Sequence, residues 1–105
     1  GSYFAFFSQG KQTPKERLAR CLSEKGVSLY GMATCPHCQE QKDKFGPAVK
    51  HLDYVDCLQN QNLCKGKGIE VVPTWIIDGT KYEGVRDLSQ LAEMTGCEYS
   101  PSTED

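Results

Sequence analysis

The sequence predicts an α/β domain in which a mixed central β-sheet is flanked by helices. Three observations lead there. The runs VSLYGM (27–32) and LDYVDC (52–57) each follow a helix-patterned segment, so they can pair in parallel through helical connections. VVPTWII (71–77) and TKYEG (80–84) flank Asp78-Gly79, a strong hairpin signal, and must pair antiparallel. A Cys-x-x-Cys motif, Cys35 to Cys38, stands where the first strand gives way to the next helix.

TPKERLARCLSEKG (13–26) reads as the first helix. Thr13 is its N-cap, Pro14 suits the first helical position, and Glu16 completes a capping box. Leu18, Cys21 and Leu22 form one apolar face, and Gly26 ends the helix. Cys21 on that face reads as core filling rather than half of a disulfide. After VSLYGM, PHCQEQKDKF (36–45) is rich in helix formers, and Gly46-Pro47 kinks it before AVKH adds a further turn. LDYVDC alternates as a second strand, with one face inward. LQNQNLCKGKG (58–68) is polar and glycine-punctuated, a loop carrying a short helix. The hairpin follows, and RDLSQLAEMTG (86–96) closes the chain as a helix capped by Asp87 and ended by Gly96. Of Leu29 and Tyr30, which alternate, one faces each layer. This order is that of a thioredoxin-like fold.

The 105 residues suffice for one modest core, with residues 13–98 as the domain. Residues 1–12 read as a linker or tag remnant, with an aromatic cluster from Tyr3 to Phe7 that lacks the pattern of a signal peptide, and residues 99–105 as a flexible tail. Hydrophobic content of 38% and charged content of 25% describe a soluble globular protein. No apolar run approaches the roughly 20 residues of a membrane span. A net charge of −2, with bases scattered among acids, argues against nucleic acid as a partner. Six cysteines point to paired thiols and an oxidising compartment, with zinc binding as the competing reading. His51 reads as a polar residue at a helix end, and the lysines of KDK (42–44) and KGK (65–67) as solvated faces.

The Cys35-Pro36-His37-Cys38 motif follows a strand and opens a helix. Unpaired N–H groups and the helix dipole there favour an anion, which makes Cys35 the nucleophilic thiolate. Cys38, one turn on, resolves the mixed disulfide, and His37 between them can stabilise the thiolate. A zinc site would need a second compact ligand pair. Cys57 and Cys64 are the candidates, with looser spacing than a zinc ribbon prefers. Pro73 ahead of a strand cannot donate to the ladder. It is either a cis proline opposite the cysteines, leaving neighbouring backbone free for a substrate chain, or an ordinary edge-strand proline.

LYGMATCPHCQEQKDKFG, YVDC, VVPTWIIDGTKYEGV and LAEMTG, in that order, resemble the thioredoxin-like domain fused to vitamin K epoxide reductase (VKOR) homologues in cyanobacteria and plastids. The likeness covers about residues 14–97. It implies a thiol–disulfide oxidoreductase that passes oxidising equivalents from a quinone-linked membrane partner to cysteine-containing substrate proteins. Cys35 and Cys38 would carry the exchange, with Pro73 as the cis proline and Val72, Pro73, Pro36 and Trp75 beside the substrate. The implied partner is a VKOR-type membrane domain upstream in the natural chain, and the implied compartment is the thylakoid lumen or periplasm. No nucleic acid, dissociable cofactor or metal is called for. Cys57 and Cys64 match a further cysteine pair of that family, either a disulfide staple or a second redox pair that relays electrons. The sequence departs from many thioredoxins at Leu29, where a buried acid would stand, so the proton-transfer group is unidentified. Cys97 is either exposed or bridged. The alternatives are a reducing thioredoxin- or glutaredoxin-like enzyme, a zinc-stabilised binding module, and a redox-inert adaptor.

Overall fold

A computed structural model describes residues 12–100. The aromatic cluster at 3–7, nearly all of the linker and residues 101–105 lie outside the described residues. The elements are α1 (Pro14–Glu24), β1 (Ser28–Gly31), α2 (Pro36–Phe45), a 3-10 helix (Gly46–His51), β2 (Asp53–Asp56), α3 (Gln61–Gly66), β3 (Thr74–Ile77), β4 (Thr80–Glu83) and α4 (Leu88–Thr95).

The four strands form one mixed sheet in the order β2-β1-β3-β4. β1 pairs parallel with β2 and antiparallel with β3, and β3 pairs antiparallel with β4. Asp78 and Gly79 both take positive φ (52° and 78°), the conformation a two-residue hairpin requires. The capping box of α1 is present, with the Glu16 N–H donating to Thr13 Oγ1 and the Thr13 N–H to Glu16 Oε1, each at 3.1 Å. Beyond Phe45 the chain does add another turn. Gly46 takes φ 58° and the extra segment is a 3-10 helix.

Alternation along the strands separates two apolar clusters. Leu29, Trp75 and Ile77 pack with Leu18, Ala19 and Leu22 of α1, Phe45 of α2, Ala48, and Leu88, Leu91 and Ala92 of α4. Tyr30 on the other face packs with Cys57 and Cys64, against Met32, Val55, Ile69, Val72 and Ile76. Leu29 and Tyr30 thus serve different layers, and both are buried. Removing such side chains from water is the main favourable contribution to folding, about 25 cal/mol per Å² of apolar surface.

One expectation needs correction. Cys21 is not simple core filling, because it is bonded to Cys97 across 76 positions of sequence. Its place on the inner face of α1 brings it against the segment that follows α4, and Cys97 is buried there rather than exposed. Tyr99, which the sequence reading assigned to the tail, is half-buried against the larger cluster.

Candidate active site

β1 carries the chain to the edge of the helix layer, and a tight turn closes with the Cys35 N–H donating to the Met32 carbonyl at 3.2 Å. Cys35 becomes the N-cap of α2, with Pro36 at the first helical position. Its sulfur accepts the Cys38 N–H at 3.3 Å, occupying the place a serine or aspartate oxygen usually takes. The Cys35 thiol lies 3.8 Å from the Val72 carbonyl oxygen, to which it donates. The Val72–Pro73 peptide is cis. Pro73 itself is buried, and its carbonyl accepts from the Gly84 N–H at 2.8 Å.

Cys35 and Cys38 are free thiols in unlike surroundings. Cys35 is partly exposed, whereas Cys38 is 1% exposed and its sulfur accepts the Met32 N–H at 3.4 Å. Burial pushes the Cys35 thiol up, but hydrogen bonds from the Cys38 side chain and from the backbone N–H groups of Cys38 and His37 outweigh it. The net shift is downward. Cys38 is pushed up to about 11, first by burial and then by its bond to Cys35. The pair therefore divides into an outer thiol that readily becomes anionic and an inner one that holds its proton.

His37 acts on this pair differently from expectation. Its ring is exposed and turned to Glu40, with Nδ1 3.4 Å from Oε1, so the backbone N–H rather than the imidazole supports Cys35. Beside the cysteines runs an open groove of about 530 Å³, walled by Val71, Val72, Pro73 and Val85 and bordered by His37 and Glu40 of α2. Val71, 45% exposed, offers the groove an apolar surface. Pro36 is exposed at the first turn of α2 and is not among the groove walls.

Trp75 cannot face a substrate. It is fully buried because its position in β3 points it under α2, where its ring centroid lies 6.1 Å from that of Phe45. Its indole N–H donates to Gln41 Oε1 at 3.0 Å. The same oxygen accepts the Arg86 N–H at 2.7 Å, and Gln41 Nε2 donates to the Arg86 carbonyl at 2.9 Å. Gln41 thus pins the cysteine-bearing helix to β3 and to the approach of α4. Its burial was not read from the sequence; a buried tryptophan needing an acceptor is the signal that points to it.

Cys57 and Cys64 are bonded to each other, seven positions apart, and both are buried on the opposite sheet face. That bond occupies the second ligand pair a zinc site would require. Among the described residues no group of three or more His, Cys, Asp or Glu side chains is gathered to hold a metal ion. His51 is half-buried at the end of the 3-10 helix. Of the lysines read as solvated, Lys42 stands 4.5 Å over the Tyr54 ring, and Lys44 pairs with Asp87 at 3.1 Å.

A thioredoxin from Halobacterium salinarum NRC-1, in point-mutant form, superposes with a TM-score of 0.54 at 22% identity, covering 88% of this chain and all of that one. The chain has a thioredoxin-like fold. Within that fold the free cysteine pair lies at the start of a sheet-covering helix and faces the cis-proline segment. In sequence, the thiol-disulfide oxidoreductase LTO1 of Arabidopsis thaliana is 38% identical over an alignment of 96 residues that covers 83% of this chain. The chain spans about a quarter of that relative's length (26%). No protein-family model matches it. Among the described residues no helix is long and apolar enough to cross a membrane.

Proposed function

We propose that this domain is a protein thiol–disulfide oxidoreductase that donates the Cys35–Cys38 disulfide to cysteine-containing proteins. The carrying observation is the division of the pair, a partly exposed Cys35 whose anion is favoured and a buried Cys38 that keeps its proton. A substrate chain lies in the groove along Val72 and Pro73, its thiolate attacks Cys35, and Cys38 leaves. The next substrate thiolate displaces Cys35, which departs easily because its anion is stabilised. Cys35 and Cys38 are the reacting residues, and the backbone of His37 is an anion support.

The reading extends to a VKOR-type, quinone-linked membrane partner that reoxidises Cys35 and Cys38, in an extracytoplasmic compartment such as the thylakoid lumen or periplasm. Support comes from the resemblance in sequence, from the likeness to LTO1, and from two further disulfides of the kind that persist in oxidising compartments. Cys57–Cys64 acts here as a staple rather than a relay, since both sulfurs are withdrawn from solvent.

The test equilibrates the protein in buffers of graded redox potential, traps thiols by alkylation and counts them by mass. A Cys35–Cys38 midpoint around −120 to −200 mV fits a disulfide donor, while one at about −270 mV or below assigns the domain to reduction instead. If the two cysteines never join, the exchange reading fails and zinc content is measured next.

A further inference from the structure

We propose that the Tyr54 hydroxyl donates a hydrogen bond to the Cys38 sulfur when that sulfur leaves as an anion, filling the polar role that Leu29 cannot. The proposal rests on the exchange reading above and adds to it the group that receives the buried leaving thiolate.

Cys38 lies 1% exposed, so an anion there has little access to water. Its sulfur accepts the Met32 N–H at 3.4 Å. The Tyr54 hydroxyl is buried and has no hydrogen-bond partner among the described residues, so it is a donor still to be satisfied. Gly31 brings the two together. A Cβ at Gly31 would stand 3.0 Å from the Tyr54 oxygen and 3.1 Å from the Cys38 sulfur, so both border a space left open by the missing side chain. Parallel pairing of β1 with β2 sets this up, because Leu29 lies opposite Tyr54 and Gly31 follows two positions on. Lys42 Nζ, 4.5 Å above the Tyr54 ring, brings a positive charge to the same corner.

The titratable groups that bear on this corner are Cys35, Cys38 and Lys42 from α2 and its cap, and Asp56 on the same strand as Tyr54. Burial, then the charges of Asp56, Cys38 and Cys35, push the Tyr54 hydroxyl up to about 12. Both groups are thus held in their protonated forms at neutral pH, and a charge on Cys38 in particular strengthens the hold of Tyr54 on its proton, as a donor requires. Lys42 favours the Cys38 anion.

In the first step a substrate thiolate attacks Cys35 Sγ. The substrate–Cys35 bond forms, the Cys35–Cys38 bond breaks, and the electron pair leaves on Cys38 Sγ, hydrogen-bonded by Tyr54. The proton lost by the substrate thiol returns to Cys38 from solvent. Cys38 is reduced, one substrate sulfur is oxidised into the mixed disulfide, and Tyr54 ends unchanged.

The experiment reads Cys38 alone in the Cys35→Ser chain, following thiolate absorbance against pH with and without Tyr54→Phe. Phenylalanine keeps the ring beneath Lys42 and removes only the hydroxyl. Loss of a hydrogen bond to a charged sulfur is expected to raise the Cys38 midpoint by about one pH unit, an approximately tenfold smaller thiolate fraction below the midpoint. In the two-cysteine chain, Tyr54→Phe should slow opening of the disulfide by a small dithiol about tenfold, with the urea midpoint not lowered. An unchanged Cys38 titration in folded Tyr54→Phe overturns the proposal. If that variant does not fold, carbon-13 resonances of tyrosine Cζ in the Cys35→Ser chain decide. The Tyr54 signal is expected to move as Cys38 ionises, and a signal that stays fixed overturns it. Because Cys38 ionisation is measured without any exchange reaction, this result is independent of the redox midpoint that tests the proposed function.

Discussion

Replacing Gln41 with leucine tests whether one buried amide fixes the cysteine-bearing helix in place. Leucine has similar bulk, so the change opens little cavity and isolates the polar loss. Three hydrogen bonds disappear, to Trp75 Nε1, to the Arg86 N–H and to the Arg86 carbonyl. A buried group left unpaired costs about 1–3 kcal/mol. The Trp75 indole is fully buried and should cost about 2 kcal/mol, whereas Arg86 is only half-buried and water can relieve its backbone, leaving about 1 kcal/mol more. The expected total is about 3 kcal/mol. Urea unfolding of the oxidised protein measures it, followed by far-ultraviolet circular dichroism because Trp75 is the chain's only tryptophan. A double-mutant cycle assigns the cause: in a Trp75→Phe background no indole is orphaned, and the Gln41→Leu cost should drop by about 1–2 kcal/mol. A cost below about 1 kcal/mol, or one that is the same in both backgrounds, would refute the reasoning.

The two disulfides should stabilise the fold unequally because they close loops of different length. Sequence separations of 76 and 7 give chain-entropy contributions of about 4.5 and about 2.4 kcal/mol. Removing Cys21 and Cys97 together should thus destabilise the protein by roughly 2 kcal/mol more than removing Cys57 and Cys64, read from urea midpoints; equal losses would contradict this. Stability of the reduced form should also depend on pH with a defined sign. Between the ordinary thiol value of 9.0 and about 11, the folded chain holds the Cys38 proton and the unfolded chain releases it, so folding is favoured less as pH rises through that window. The form with Cys35 bonded to Cys38 has no such thiol. Unfolding measured promptly after a pH jump should show the two forms diverging above pH 9, and parallel behaviour would mean that burial does not hold Cys38 neutral.

What was legible in the sequence was local. Thr13 and Glu16 are three positions apart and their capping box needs no tertiary partner, and Asp78-Gly79 specifies its turn from two residues. The cysteine motif was readable for the same reason, since a strand, a tight turn and a helix start are contiguous in sequence. What the sequence concealed was non-local. Cys21 on an apolar helix face read as core rather than as half of a bridge, because its partner stands at the other end of the domain. Trp75 beside Pro73 suggested a substrate-facing ring, but the alternation of β3 turns it inward. Tyr54 was one residue of an alternating strand until parallel pairing set it near Gly31 and Cys38. His37 was placed correctly along the chain, yet the direction of its ring depends on Glu40 one turn later.

The Cys21–Cys97 bond also governs how the domain bears mechanical load. The covalent ring it closes contains all four strands, Cys35 and Cys38. Tension entering through residues before Cys21 and leaving through residues after Cys97 passes across the sulfur–sulfur link and bypasses the sheet. The hydrogen-bonded ladder and the groove beside Pro73 are therefore out of the force path. Under such a load the first turns of α1, which precede Cys21 and carry Leu18 and Ala19, would yield before the strands inside the ring.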